Sequence, residues 1–189
     1  MSVRLTQLRG AGRIPSYERY NGPLWETLRT VDPDGRQAAV AFLSAHFGFR
    51  SATEPIAYYD ARLTPQLAER MAAGGMITRW PEHTGRTGTM PGGSHPGAEI
   101  ASLADHGRHP FSDVALVGGQ VYLIVMRCMV AEFQDMRQVT KDARIIEINV
   151  PIGLVRSKLR EWLCEPPGPV EEPRAAADTF AEDDITHGL

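Results

Sequence analysis

Short apolar segments alternate with amphipathic helical segments along most of this chain, and that alternation most constrains its fold. The continuous apolar runs at 38–43 and 113–117 have the pattern of strands buried on both faces, and 144–148 gives a further strand. Amphipathic helices are predicted at 24–30 and 154–163. Because strand, loop and helix alternate at least four times, we predict one α/β domain of three layers with a mainly parallel central sheet, spanning residues 1–164.

Capping and turn residues place the limits of several elements. Residues 3–8 alternate as a first strand does. Pro23 suits the first position of a helix, Asn21 is predicted to be its N-cap, and Gly22 lets the backbone approach a ligand closely. Thr64 is predicted to be the N-cap of a second helix.

Length, composition and cysteine content exclude several classes of protein. The 189 residues are 42% hydrophobic and 23% charged, as in an ordinary globular domain. No apolar run is long enough to span a membrane and no secretory signal is visible, so we expect a cytoplasmic protein without a membrane partner. Cys128 and Cys164 form no disulfide framework, and Cys128, in the apolar helical run 121–130, is expected in the core.

The net charge of −3 is unevenly distributed. Residues 165–189 contain seven acidic residues and one basic residue, which gives −6 and leaves +3 for residues 1–164. The terminal segment has too little apolar surface to offset the entropy lost on ordering, so we predict a flexible acidic tail at 165–189. A mildly basic body is compatible with nucleic acid.

Four polar stretches follow predicted strands, at 9–22, 44–60, 118–122 and 149–156. Ligands of open α/β sheets bind beyond the carboxyl ends of the strands, so these stretches predict a single ligand pocket. In the first stretch, a glycine-rich turn between Arg9 and Arg13 either presents N–H groups and guanidinium groups to a phosphate or is a flexible surface loop.

A long loop at 80–97 is rich in glycine and proline, and we predict that it is lid-like. Four histidines lie in this loop or within about a dozen residues after it: His83, His95, His106 and His109. No cysteine or carboxylate at ligand spacing completes a zinc site, so we expect no metal and no cofactor.

Three motifs are familiar: Tyr20-Asn21-Gly22-Pro23-Leu24-Trp25, Phe42-Leu43-Ser44-Ala45-His46-Phe47-Gly48-Phe49 and Ile56-Ala57-Tyr58-Tyr59-Asp60. In this order they resemble the YaaA-like family, and segments 117–122 and 152–163 look like its later elements. The resemblance covers most of residues 3–164 and implies a uracil-DNA-glycosylase-like fold. It also implies a monomer that binds double-stranded phage DNA, excises a modified base such as glucosylated hydroxymethylcytosine and serves anti-phage defence.

The chain departs from that family's pattern at two places. Many relatives have Asp where Asn21 stands, and many have Cys and Lys in the first loop, where this chain has Arg9 and Arg13. The first difference leaves open which residue activates the water.

Cleavage of an N-glycosidic bond needs a positioned water, stabilisation of a cationic sugar and assistance to the departing base, which must first be flipped out of the helix. Asp60, Asn21 and His46 are the catalytic candidates, with His95 as another donor to the base and Tyr58 or Tyr59 as the stacking residue. Further substrate-binding candidates are Tyr20, Gly22, Ser44, Gly119 and Tyr122, and the phosphate-binding candidates are Arg9, Arg13, Arg50, Arg62 and Arg156.

Structural roles are alternatives for several of these residues. Asp60, next to Arg62, is alternatively a surface residue that caps the following turn, and His46 is alternatively a structural histidine. One of Tyr58 and Tyr59 is expected in the core, because adjacent strand residues point to opposite faces. Glu26 is either a solvated helix residue or a second carboxylate. Two other functions fit the pattern: a nucleoside deoxyribosyltransferase or hydrolase with Glu26 or Asp60 as nucleophile, and a DNA-binding module without catalysis.

Overall fold

The structure is a computed structural model that describes residues 12–81 and 94–165. Its helices and strands confirm a mixed α/β chain. The strands are β1 (Ile14–Pro15), β2 (Ala41–Ser44), β3 (Gly48–Ser51), β4 (Pro55–Ile56), β5 (Phe111–Val117) and β6 (Val139–Ile148). The helices are α1 (Ser16–Arg19), α2 (Pro23–Val31), α3 (Pro65–Gly74), α4 (Pro96–Leu103), α5 (Gln120–Asp135) and α6 (Ile152–Cys164).

The hydrogen-bonded strands of the described residues form three separate pairs. β5 and β6 are parallel, whereas β1 pairs with β4, and β2 with β3, in antiparallel fashion. The prediction of a mainly parallel central sheet is therefore wrong for this part of the chain, in which one pair of three is parallel.

The apolar run at 38–43 explains part of that difference. It leads into β2 of a tight hairpin in which Ser44 lies opposite Gly48. Gly48 has a φ of +68°, which glycine adopts without steric cost. The Ser44 hydroxyl accepts hydrogen bonds from two turn N–H groups, those of His46 and Phe47, at 3.0 Å each. A continuous apolar run indicates burial but leaves open the direction in which the partner strand runs.

Helices cover both faces of the parallel pair. Val114 and Leu116 pack into a core with Leu123 of α5, whereas Val117 and Ile148 pack with Val155 of α6. Successive residues of a strand point to opposite faces, so α5 and α6 lie on opposite sides of β5 and β6. Helices thus pack on both faces of this pair, with α2 packed against α6.

Two helix starts test the predicted caps. Thr64 caps α3 as predicted, since its hydroxyl accepts the Leu67 N–H at 3.2 Å. The N-cap of α2 is Gly22, so the prediction for Asn21 is wrong. The Asn21 carboxamide instead accepts a long hydrogen bond of 3.5 Å from the guanidinium of Arg29, in the last turn of the helix.

Three further expectations concern the burial of Cys128, the segments outside the described residues, and the membrane. Cys128 is exposed on α5, so its predicted place in the core is wrong, because the apolar face of that helix carries Leu123, Val125 and Met129 instead. The predicted strand at 3–8, Arg9, residues 82–93 of the predicted loop and the tail beyond Glu165 lie outside the described residues. Among the helices that the structure describes, none is both long and apolar enough to cross a membrane.

Candidate active site

Four polar residues from four different segments meet in what we call the tyrosine cluster: Tyr20, Ser44, Tyr59 and Tyr122. Tyr20 follows α1, Ser44 ends β2, Tyr59 follows β4, and Tyr122 lies in the first turn of α5. The hydroxyl groups of Tyr20 and Tyr59 are hydrogen-bonded to each other. All four residues were predicted from the sequence to bind substrate, and they come from three of the four polar stretches.

Aromatic packing fixes the position of Tyr20. Its ring is stacked on Trp25 of α2, with centroids 5.1 Å apart, and meets the edge of Phe42 at 5.3 Å. The ring of Tyr59 is perpendicular to that of Tyr20 at 6.5 Å. Only 5% of Tyr20 is exposed, so its hydroxyl is held in one direction by buried neighbours.

Ser44 connects the hairpin to the cluster. Because its oxygen accepts the two turn N–H groups, its own hydrogen is available for donation. Hydrogen bonding from Ser44 favours the ionised form of Tyr20 and Tyr59 and partly opposes the effect of burial on their pKa values. Ser44 is itself 1% exposed, so the tight turn after β2 places its hydroxyl inside the protein.

Burial makes the phenols of the cluster harder to ionise. It is the largest cause of the raised pKa of Tyr20, and the neighbouring Tyr59 raises that pKa further. Burial also raises the pKa values of Tyr59 and Tyr122, although the Leu63 backbone and the charge of Arg62 lower that of Tyr122. Neutral phenols both donate and accept hydrogen bonds, so the cluster offers uncharged polar contacts to a ligand.

His46 lies beside this cluster. Its ring is stacked on Tyr59 at 5.6 Å between centroids and meets Phe47 edge-on at 4.6 Å. His46 is partly exposed, whereas Ser44, two residues before it, is buried. The structure therefore brings the predicted general acid next to the predicted stacking residue.

Asn21 and Asp60 directly follow the two tyrosines whose hydroxyl groups meet, and both are exposed. The Arg29 guanidinium donates to the carbonyl groups of Tyr17 and Tyr20 at 2.7 and 3.1 Å and holds the segment before α2. Tyr58 is 40% exposed and Tyr59 is partly buried, so Tyr59 is the member of this pair that packs inside.

Several predicted residues serve other contacts. Arg50 is buried, forms an ion pair with Glu99 at 3.0 Å and donates to the Trp80 carbonyl at 2.6 Å. Its donors therefore face the protein, which does not support the predicted contact with phosphate. The His95 side chain lies at the N-cap of α4, where its Nδ1 is 2.9 Å from the Met76 carbonyl oxygen.

The remaining predicted arginines of the described residues lie at the surface. Arg13 donates from Nε to the Pro55 carbonyl at 3.2 Å, and Arg62 is exposed near Tyr122. Arg156 of α6 forms an ion pair with Glu26 of α2 at 3.5 Å, and both side chains are about half exposed.

A second feature lies where β5 and β6 end. A cleft of about 340 Å³, here called the strand-end cleft, is lined by Gly118 and Gly119 after β5, by residues 149–152 after β6, and by Leu24 and Val155. Gly22 directly precedes α2, which supplies Leu24. Polar stretches 118–122 and 149–156 therefore meet at one place, as expected for the carboxyl ends of parallel strands.

Sequence reasoning missed the residues that hold these sites together. The rings of Trp25 and Phe42 pack against the ring of Tyr20. Both are aromatic residues within the apolar segments of the quoted motifs, and that is the sequence signal that could have identified them. Asn149 is the first residue after β6, and its polar character directly after a buried strand is a comparable signal.

Within residues 12–81 and 94–165, no group of three or more His, Cys, Asp or Glu side chains is placed to hold a metal ion. His83 lies outside that part of the chain.

Comparison of the whole chain with protein-family models, with curated proteins and with solved structures gives no match in any of the three.

Proposed function

We propose that this chain is a DNA glycosylase that excises a modified base, such as glucosylated hydroxymethylcytosine, from phage DNA and leaves an abasic site. The observation that supports the proposal is the tyrosine cluster, in which residues from four segments meet and two are directly followed by Asn21 and Asp60. A three-layer domain of the uracil-DNA-glycosylase type is part of the proposal, supported by helix layers on both faces of β5 and β6.

The reaction assigns one task to each group. The bond between C1′ of the sugar and the base nitrogen breaks, its electron pair goes to the base, and His46 donates a proton to that base. The carboxylate of Asp60 stabilises the cationic sugar and takes a proton from the water that adds to C1′. Asn21 orients this water, and Tyr59 with the stacked His46 presents an aromatic surface to the flipped nucleotide.

Exposed arginines supply the attraction for DNA. Arg13 and Arg62 are both exposed, and residues 1–164 carry a net charge of +3. A cytoplasmic monomer that binds double-stranded DNA through these groups loses affinity steeply as salt rises. Arg9, outside the described residues, belongs to the same predicted basic surface.

The proposal is tested by incubating the full chain with several phage DNAs, unmodified and modified, and identifying released bases by mass spectrometry. We expect release of one modified base by the wild type. Asp60→Asn removes the charge that stabilises the sugar and is expected to slow release by about a hundredfold or more. Asp34→Asn, in the turn after α2, is the matched control and should leave the rate unchanged.

Two results would contradict the glycosylase, and a third would contradict only the role of Asp60. Hydrolysis of free nucleosides without release from DNA would instead show a nucleoside hydrolase or transferase, although Glu26 is engaged by Arg156 in the structure. Binding of DNA without release of any base would show a binding module. An Asp60→Asn rate equal to that of the wild type would remove the carboxylate from the reaction.

A further inference from the structure

Arg19, the last residue of α1, is a buried cation without a counter-ion in the described part of the chain. Only 3% of the residue is exposed. Its Nη2 donates to the Gly12 carbonyl at 2.6 Å, and its Nε is buried without a hydrogen-bond partner. None of the ion pairs within residues 12–81 and 94–165 includes Arg19. Because a guanidinium has five N–H donors, most of its hydrogen-bonding capacity is unused there.

A second buried arginine of the described residues shows what Arg19 lacks. Arg50 donates to the Glu99 carboxylate at 3.0 Å and to the Trp80 carbonyl at 2.6 Å, so its charge is paired inside the protein. A buried charge that loses its hydration without gaining an opposite charge is costly, and buried charges in proteins are generally paired. Arg19 therefore has the free donors and the unpaired charge that an anionic ligand would satisfy.

The guanidinium of Arg19 approaches the surface at Gly12. Gly12 is exposed, and a Cβ atom built there would meet no heavy atom within 4 Å. Open space thus adjoins the residue whose carbonyl holds Nη2 of the guanidinium. An anion that approaches over Gly12 meets no side chain at this position before it reaches the N–H donors.

Strand pairing places this site beside the proposed active site. β1 and β4 run antiparallel, with Ile14 opposite Ile56, so the segment before β1 and the segment after β4 leave the pair at the same end. Gly12 lies two residues before Ile14, and Tyr59 and Asp60 lie three and four residues after Ile56. An anion held at Gly12 therefore lies at the end of the pair from which the residues of the proposed reaction continue.

We propose that Arg19 and the exposed backbone at Gly12 form a phosphate site, and that its ligand is the DNA phosphodiester next to the flipped nucleotide. A phosphodiester carries a negative charge and free oxygens that accept N–H donors, as this guanidinium requires. The identity of the ligand rests on the proposed function, whereas the phosphate site follows from the unpaired charge of Arg19. A free nucleoside lacks this phosphate, so the site favours DNA over nucleosides.

The first test measures the melting temperature of the full chain in sodium phosphate and in sodium chloride of equal ionic strength. Phosphate that binds the folded chain is expected to raise the wild-type melting temperature by about 2–4 °C. Arg19→Met keeps the approximate length of the side chain without its charge and should lose most of this rise, and the remainder measures the general effect of phosphate on folded proteins. Because no ion pair is broken, this variant should melt at or above the wild-type temperature in chloride.

Arg50→Met is the matched control, because it removes a buried arginine whose charge is paired with Glu99. It should melt below the wild type in both salts, since it leaves a carboxylate without its partner, and it should keep the full rise in phosphate. Arg108→Met, at an exposed arginine, controls for net charge and serves in its place if Arg50→Met does not fold.

Gly12→Asp keeps the test decisive if Arg19→Met does not fold. The position is exposed and has room for a Cβ atom, so a carboxylate there supplies the missing counter-ion and competes with phosphate. This variant should also lose the rise in phosphate. Gly153→Asp, at a glycine of α6 that likewise has no heavy atom near its Cβ, adds the same charge elsewhere and should keep the rise.

The second test uses duplexes with one glucosylated hydroxymethylcytosine, in which a single phosphate is replaced by an uncharged methylphosphonate. Fluorescence anisotropy gives their dissociation constants. We expect replacement of one phosphate next to the target base to weaken wild-type binding about tenfold, as loss of one charge-assisted contact allows. Arg19→Met should bind the all-phosphate duplex about tenfold more weakly than the wild type and be insensitive to that replacement. Arg50→Met should respond as the wild type does.

The phosphate site is overturned if phosphate raises the melting temperature of Arg19→Met or Gly12→Asp as much as that of the wild type. Its assignment to DNA is overturned if methylphosphonate next to the target base weakens binding of the wild type and Arg19→Met equally, or of neither. Failure of the proposed function looks different, since both tests would then give the expected results while no phage DNA loses a base.

Discussion

At the scale of single residues, burial decides the chemistry of the tyrosine cluster. Tyr20 is almost fully enclosed between Trp25 and Phe42, and its hydroxyl has Tyr59 as a partner. A buried phenol resists ionisation because the charged form loses its hydration, and a second phenol nearby adds to that cost. The cluster is therefore a set of neutral donors and acceptors at neutral pH.

The same burial predicts a loss of stability in alkali. The pKa of Tyr20 is raised in the folded chain above its ordinary value of 10.0, so above about pH 10 the unfolded chain releases this proton and the folded chain keeps it. Unfolding is then favoured as pH rises, by up to about 1.4 kcal/mol per pH unit for this phenol. Below pH 10 the tyrosine contributes no pH dependence.

We expect Tyr20→Phe to have a shallower decline of the unfolding free energy between pH 10 and 11 than the wild type, measured by urea titration at each pH. Phe42→Leu, which loosens packing against the same ring without removing an ionisable group, is the control and should lower stability equally at every pH. Parallel declines of wild type and Tyr20→Phe would show that this phenol ionises as easily in the folded chain as in the unfolded one.

At the scale of elements, the β2–β3 hairpin shows how one glycine sets a local structure. The φ of +68° at Gly48 closes the turn, and a Cβ atom there would lie 2.7 Å from the indole of Trp80. Trp80 is 3% exposed, so its ring has little room to move. The hairpin and the start of the predicted loop therefore depend on a close approach that only glycine permits.

Gly48→Ala is expected to destabilise the protein by about 2–4 kcal/mol, from backbone strain plus displacement of a packed indole. Chemical denaturation measures this loss. Gly35→Ala separates the two causes, because Gly35 also has a positive φ, +62°, but no heavy atom near its Cβ, and should cost only about 1–2 kcal/mol. Equal losses in the two variants would mean that the clash with Trp80 contributes nothing.

At the scale of the whole molecule, charge is divided between a basic body and an acidic end. Residues 166–189 contain six acidic residues and one basic residue, which gives this segment a charge of −5. Because the whole chain carries −3, residues 1–165 carry +2. Glu165 itself is tied to Arg144 by an ion pair of 2.6 Å. A negative segment joined to a weakly basic protein opposes the approach of a polyanion over distances set by the salt concentration.

Removal of residues 166–189 is therefore expected to tighten binding to duplex DNA several-fold at low salt, with the difference fading by about 0.3 M salt, where screening is strong. Fluorescence anisotropy with a labelled duplex measures it. A chain of unchanged length, in which the six acidic residues are replaced by their amides, is the control for charge and should bind like the truncated chain. Tighter binding by the truncated chain alone would contradict an electrostatic cause.

The sequence by itself determined the elements whose signals are local. Proline and threonine at helix starts placed α2 and α3, and apolar periodicity placed α5, α6 and the strands around 113–117 and 144–148. It also selected the members of the tyrosine cluster, because polar residues at the ends of buried segments stand out against apolar neighbours.

The tertiary structure alone decided which segments pair and what each polar group faces. Strand direction depends on contacts between distant residues. The apolar run at 38–43 was therefore predicted as a parallel strand, whereas in the structure it leads into the antiparallel β2–β3 hairpin. Arg50 was predicted to bind phosphate and instead meets Glu99, 49 residues away in the chain, in the protein interior. Local propensity carries no information about such long-range partners, and it is their charge and burial that fix the chemistry available to a side chain.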